Sequence, residues 1–246
     1  MDYELNQFGQ PVGLPLQNWV APVFPPAKVL NGWGCKVEPL SLARHSDDLW
    51  QAFSADDGRM WTYLTSGPFA EVQAFHAWLD RVSSGVDPQF YAIVDEASGK
   101  ALGLAAYLRI DPAAAAIEVG WLHFSPALQG TRLATAAMVL MMKNAFELGY
   151  RRYEWKCNAL NLPSRKAAQR FGFSFEGVFR QATVNRGRNR DTAWFSVLDK
   201  EWPALEEAYI QWLSPDNFDG AGRQRLALSD LTRPLLAMKD VAPPRL

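Results

Sequence analysis

Three consecutive segments constrain the fold most. "AIEVGWLHF" (116–124) reads as a strand, 131–148 as a long helix, and "RYEWKCN" (152–158) as a second strand. In the helix, Leu133, Ala137, Leu140, Met141, Ala145 and Leu148 fall on one stripe, and Gly149 can end it. In the second strand, Tyr153, Trp155 and Cys157 alternate with Arg152, Glu154 and Lys156, as in a half-buried strand. Strand, helix and strand in this order form a right-handed crossover, so the two strands are expected to run parallel.

The rest of the chain reads differently. "QFYAIVD", "ALGLAAYLRI" and "AIEVGWLHF" are joined only by "EASGK" and "DPAAA", and connections this short make an antiparallel meander. "CKVEPLSL" (35–42) is a candidate first strand. A short helix is expected over 44–53, capped by Ser46 or Asp47. Another is expected in "AEVQAFHAWLDRVSSG", where Val72, Phe75, Leu79 and Val82 share a face. After the crossover, "SRKAAQRF" is a short helix ended by Gly172, and strands 173–184 and 191–198 pair around "NRGRNR". Proline and glycine crowd residues 9–34. The expected organisation is therefore an extended wrap over 1–34, a domain over 35–200 and a C-terminal helical extension over 201–246.

Lys and Arg number 25 against 26 Asp and Glu, a net charge of −1, which gives no global footprint for nucleic acid or an anionic membrane. Cys35 and Cys157 form no C-x-x-C pair, which points to a reducing cytoplasm and buried structural thiols. The start is acidic at Asp2 and Glu4 with no apolar signal core, and no apolar run reaches membrane-spanning length. The expected location is cytoplasmic, with neither nucleic acid nor membrane as partner. "NRGRNR" is basic but lacks interleaved aromatics for base stacking, and Gly187 suits an exposed turn. Of the ten tryptophans, Trp33, Trp61, Trp78 and Trp121 are candidates for a pocket wall or for core.

G-x-x-x-x-G-K-[ST], G-x-G-x-x-G and G-x-S-x-G are all absent, and His45, His76 and His123 lack metal-ligand spacing. Nucleotide hydrolysis, hydride transfer, zinc and triad chemistry are disfavoured. "LQGTRLATAAM" (128–138) remains. Backbone N–H groups at a helix start suit a pyrophosphate; a plain strand-to-helix turn is the alternative.

Residues 35–200 resemble the GNAT N-acetyltransferases, specifically the ribosomal-protein acetyltransferase-like (RimJ/RimL-like) branch. The matching segments are "IEVGWLHF", "LQGTRLATAAM", "NLPSRKAAQRFGF" and "FEGVFRQA", in this order and spacing. The resemblance implies an α/β GNAT fold, a mixed, mostly antiparallel twisted sheet with a central splayed parallel strand pair flanked by helices. It implies acetyl-CoA as co-substrate and a primary amine, on a protein N-terminus or a small molecule, as acceptor. Acetyl would pass by direct attack in a ternary complex, without metal. A homodimer is compatible with this reading. The alternative is a non-catalytic acyl-CoA sensor or scaffold.

By the same resemblance, Gln129, Gly130, Thr131, Leu133, Ala134 and Thr135 offer backbone or hydroxyl donors to the pyrophosphate. Arg132 stands where the family has its first glycine, and either contacts phosphate or obstructs the loop. Leu122, His123 and Phe124 match the strand that pairs with the pantetheine arm, one N–H facing the thioester oxygen. Asn161 and Ser164 match positions beside that arm, with Ser164 placed for the leaving thiolate; capping the short helix is the other reading of both. Lys166 and Arg170 suit the 3′-phosphate or are solvated. The "NRGRNR" turn also suits a contact with the acceptor or that phosphate. Some relatives carry a glutamate at the position of Thr183, so the base here is Glu118, His123 or water. For Glu118 the competing reading is a solvent-facing strand residue.

Overall fold

The computed structural model describes residues 3–240; residues 1–2 and 241–246 of the expected flanks lie outside them. β1 (Tyr3–Leu5) and β2 (Pro11–Gly13) make a separate hairpin. β3 (Leu30–Gly32) and β4 (Cys35–Pro39) lead to α1 (Leu42–Ser54), a 3₁₀ turn (Arg59–Trp61) and α2 (Val72–Ser83). The meander follows as β5 (Gln89–Asp95), β6 (Ala101–Asp111) and β7 (Ala116–Phe124). The crossover is α3 (Arg132–Glu147) and β8 (Arg152–Asn158), followed by α4 (Leu162–Arg170), β9 (Ser174–Asn185) and β10 (Arg188–Leu198). α5 (Trp202–Leu213) and α6 (Leu228–Thr232) complete the helices. The main sheet has eight strands in the order β3-β4-β5-β6-β7-β8-β10-β9. Its one parallel pair is β7–β8. This is the expected mixed α/β architecture.

Each sheet face buries its own core. α1 and α2 cover one with Leu49, Phe53, Phe75 and Leu79. α3 covers the other, and α5 adds Trp202, Leu205, Tyr209 and Trp212 to that same core. α3 is thereby buried on more than the expected stripe, with every residue from Ala134 to Met142 inside. Lys143 meets Glu206 at 2.6 Å and Phe146 stacks on Trp202 at 5.1 Å, which docks α5 against it. The lead-in touches the domain through Val23 and Pro25, whose carbonyls accept from Tyr150 and Gln89. The β1–β2 hairpin before it is exposed.

α1 corrects one expectation. It begins at Leu42 with Ser41 at the N-cap position, so Ser46 and Asp47 lie inside it and cap nothing. The Ser41 amide donates to His45 Nδ1 at 3.1 Å, a bond that spacing rules for Ser and Asp caps do not anticipate.

One irregularity in β7 shapes everything downstream. Leu104 faces His123 while Ala106 faces Gly120, so β7 uses three residues where β6 uses two. The bulge centres on Trp121, whose φ of 51° is left-handed. An extra residue reverses side-chain alternation. Ile117 and Val119 point to the α3 core, but so do Leu122 and Phe124. Trp121 and His123 are turned to the α1/α2 side, where the His123 ring lies 5.1 Å from Trp61 and 5.3 Å from Trp78.

Candidate active site

The parallel ladder runs only from Ala116–Arg152 to Val119–Trp155. Beyond it β7 stays with β6 and β8 with β10, so the sheet opens at the bulge. A cavity of about 1670 Å³ fills the opening. An ordinary small-molecule site holds roughly 300–1,000 Å³, so this one has room for two ligands side by side. Gly120, Trp121, Leu122 and Phe124 line one wall, and Trp155, Lys156, Cys157 and Asn158 the other.

One end of the cavity is the turn into α3. Gly130, with φ 72°, turns the chain, and Thr131 caps the helix by accepting from the Ala134 amide at 3.1 Å. Among the described residues, the amides of Gly130, Arg132 and Leu133 donate to no protein acceptor. Three free N–H groups at a helix start make an anion cradle. The hydroxyls contribute less than the sequence suggested. Thr131 donates to Leu128 O at 2.7 Å, and Thr135 donates to Thr131 O while accepting from Arg170. Gln129 braces the turn through Phe124 O at 2.7 Å. Gln129, Gly130, Thr131, Arg132, Ala134 and Thr135 line the cavity; Leu133 packs into the core instead.

Arg132 follows neither expectation alone. Its guanidinium donates to the carbonyl of Leu213, the last residue of α5, and sits 4.8 Å over the Phe218 ring. A cation suits the unpaired carbonyls of a helix end. Its Nε is buried without a partner, which leaves one donor for a ligand in the cavity it lines. Arg170 lines the same end and lies over Trp212 at 5.1 Å. Trp212, Phe218, Arg223 and Gln224, all from the C-terminal segment, complete this wall. Lys166 is exposed and outside the cavity.

Midway, Asn161 and Ser164 stand where α4 starts. Asn161 Oδ1 accepts from the Ser164 amide at 3.2 Å, so Asn161 is a helix cap as well as a lining residue. Ser164 Oγ accepts from Trp155 Nε1 at 3.0 Å. The same hydroxyl also hydrogen-bonds the Cys157 side chain, which lines the cavity beside it, so its proton already serves one sulfur there and is placed to serve another.

The other end is charged. Glu118 is buried, not solvent-facing, and its Oε2 meets Arg109 at 2.6 Å and Lys156 at 3.1 Å. Burial raises its pKa, and the two cations only partly oppose that. Lys156 also meets Glu154 at 2.6 Å and lies 3.7 Å over Trp194. A buried carboxylate with raised proton affinity, reaching a cavity, is equipped to take a proton. His123 is not. Its ring is buried beneath aromatic side chains, Nδ1–H donates to Trp121 O at 2.7 Å, and burial lowers its pKa to about 4. Its side chain lies off the cavity, because the bulge turned it away. The expected aromatic wall is also different. Trp61 and Trp78 are core, Trp33 packs against core, and the tryptophans at the cavity are Trp121, Trp155 and Trp212.

Sequence reasoning missed Arg109, Lys156, Trp155, Trp212 and Phe218. Only Lys156 left a trace, since alternation in "RYEWKCN" puts it on one face with Glu154. Both cysteines are free and buried, and Cys157 at the cavity is pushed up to about 11, which makes it a poor nucleophile. Among the described residues no group of three His, Cys, Asp or Glu gathers as a metal site, and no helix is long and apolar enough to cross a membrane.

Comparison with known proteins agrees with this geometry. Residues 37–174 match the acetyltransferase (GNAT) domain family. A GCN5-related N-acetyltransferase from Brucella melitensis shares 49% identity over 89% of this chain and 100% of its own, with a TM-score of 0.87. A GNAT-family protein from Chromobacterium violaceum ATCC 12472 shares 43% identity over 79% of this chain and 98% of its own, with a TM-score of 0.74. The self-immunity acetyltransferase MccE, solved with acetyl-CoA and AMP, shares only the fold, at 18% identity and a TM-score of 0.59 over 67% of this chain and 92% of its own. Among the curated proteins none matches the sequence. With the splayed strands, the free-amide turn and the family match in agreement, this chain belongs to the GNAT acetyltransferases.

Proposed function

We propose that the chain transfers acetyl from acetyl-CoA to a primary amine by direct attack in a ternary complex. The observation that carries this is one continuous cavity with the free amides of the Gly130–Leu133 turn at one end and buried Glu118 at the other. The turn and the spare Arg132 donor suit a pyrophosphate, and the wall opened between β7 and β8 suits the pantetheine arm. MccE supports the choice of coenzyme, since that fold relative was solved with acetyl-CoA.

Each step then has a residue. Glu118 takes a proton from the acceptor ammonium, directly or through water, and frees the nitrogen lone pair. The amine attacks the thioester carbon while an N–H of the 122–124 stretch, left without a strand partner by the splay, stabilises the oxygen. The C–S bond breaks, and Ser164 Oγ–H hydrogen-bonds the departing sulfur, which takes up the second proton lost by the amine. The products are an amide, coenzyme A and the proton held by Glu118. Cytoplasmic location and the RimJ/RimL-like branch, with a small-molecule or peptide acceptor, belong to the same proposal.

The direct test is thermal. A ligand that binds only the native state adds RT ln(1 + [L]/Kd), about 2.7 kcal/mol at a hundredfold excess over Kd. Acetyl-CoA should raise Tm and release coenzyme A when an amine panel is added. ATP and NAD should shift Tm markedly less. Equal shifts from all three sink the coenzyme assignment, and binding without release in any amine favours the sensor reading.

A further inference from the structure

The three arginines of "NRGRNR" have separate fates. Arg186 donates to the carbonyls of Ser66 and Gly67 at 2.8 and 2.6 Å, and so ties the β9–β10 turn to the loop before α2. Arg188 is exposed. Arg190 turns inward and lines the cavity beside Glu118, Arg109 and Cys157.

Arg190 is the charge without a counterpart. Around it, Arg109 and Lys156 hold Glu118, Lys156 and Arg152 hold Glu154, and Arg152 also holds Glu176. Three carboxylates are therefore already engaged by three cations, and Arg190 is a fourth. Among the described residues it makes no hydrogen bond or ion pair, and its Nε is buried without a partner. Burial lowers its proton affinity; Cys157 and, less, Glu118 oppose that, while Arg109 adds to it. A half-buried guanidinium whose Nε is cut off from both water and protein leaves donors for a ligand in the cavity it lines. Its fork is matched by a carboxylate or a phosphate. The phosphates of the coenzyme do not answer the need, because their free-amide turn, with Arg132 and Arg170, lies at the opposite end.

We propose that the acceptor is a small amphoteric amine, with an anionic group received by Arg190 and its amine directed to Glu118. This rests on the acetyl-transfer reading and names its substrate class. The position of Arg190 in the cavity wall, half-buried, favours a small molecule over a long peptide, whose anion would more readily find the exposed Arg188. Carboxylate and phosphate share the recognising chemistry, and the assay separates them.

The experiment measures coenzyme A release with matched amines that differ only in the anion. The pairs are β-alanine and propylamine, L-alanine and L-alaninamide, and O-phosphoethanolamine and ethanolamine, with an N-terminally free Gly-Asp peptide amide as the longer acceptor. In at least one pair the anionic member should exceed its neutral partner by about tenfold or more in kcat/KM, since a charged hydrogen bond is worth roughly 1.5–3 kcal/mol. Whichever pair responds identifies carboxylate or phosphate. Arg190→Gln should erase that advantage chiefly through KM, and Arg190→Lys should restore part of it. Tm of Arg190→Gln should hold or rise, because a half-buried cation without a protein partner is removed, and acetyl-CoA binding by isothermal titration should persist. Equal use of both members of every pair overturns the proposal, as does an advantage that survives Arg190→Gln. A peptide that outperforms all the small acceptors overturns it too. No release with these acceptors, while acetyl-CoA binds and other amines of a wider panel do release coenzyme A, overturns the acceptor class alone. Loss of acetyl-CoA binding by the wild-type protein brings down the acetyl-transfer reading with it.

Discussion

Arg132→Ala separates two uses of one guanidinium. The side chain joins the first turn of α3 to the last carbonyl of α5 and to Phe218. A hydrogen bond from a charged donor contributes roughly 1.5–3 kcal/mol. A half-exposed cation–π contact adds about 0.5–1 kcal/mol. The cost of burying Nε without a partner offsets part of this, so truncation should destabilise the fold by about 1.5–3 kcal/mol. For a chain of this size each kcal/mol moves Tm by about 2–4 °C, so a drop of roughly 3–12 °C is expected in a thermal melt without ligand. Phe218→Ala, which removes only the ring, should give a smaller drop of the same sign. Coenzyme A titrated into Arg132→Ala should bind about tenfold more weakly, because the variant loses the spare donor and loosens the Phe218 wall. Salt dependence of binding should flatten as well. An unchanged Tm beside weakened binding would refute the anchoring role. Unchanged or tighter binding would refute any contact with the ligand.

Two other substitutions test the rest of the site, and a third tests the core beneath it. Glu118→Gln should lower kcat about 10²- to 10⁴-fold, the range for a general base, and an unchanged kcat removes Glu118 from that role. In the wild type, burial raises the Glu118 pKa, so the acidic limb of the kcat profile should lie above that of an ordinary carboxylate, with activity falling as pH drops through it. Ser164→Ala should lower kcat more than it raises KM for acetyl-CoA, and should cost about 1–3 kcal/mol by orphaning the Trp155 indole N–H; lost stability at full kcat leaves Ser164 a packing role only. His123 titrates near 4 when folded against an ordinary 6.5, so its protonation favours the unfolded chain. The stability it supports is complete above about 6.5 and falls as pH drops towards 4, by about 3 kcal/mol in all. His123→Gln should flatten that part of a Tm-against-pH curve, and an identical curve excludes it as the source.

Local pattern made the architecture legible. Short turns between apolar runs require the β5–β7 meander, and a stripe of period 3.6 between two strands requires the β7–α3–β8 crossover, because neighbours in sequence decide both. The α3 turn was legible for the same reason, since its free amides follow from where a helix begins. Asn161 as a cap is equally local.

What tertiary structure alone decided begins at Trp121. One extra residue in β7 turns His123 away from the α3 side and under the aromatic rings of the α1/α2 core, though alternation in "IEVGWLHF" does not announce the slip; a bulge is visible only against the partner strand. The burial that raises Glu118 comes with Arg109 and Lys156 from other strands, and no spacing rule joins them. Trp212, near the end of α5, and Phe218, just beyond it, reach the α3 turn because α5 docks on α3 and leaves its last carbonyl facing Arg132. Arg190 read only as part of a basic turn suited to the acceptor or the 3′-phosphate, and packing alone singles it out as the arginine of that turn that lines the cavity. Secondary structure follows from short-range periodicity, whereas the proton affinity and charge balance of a site depend on residues far apart in the chain, and packing is what brings them together.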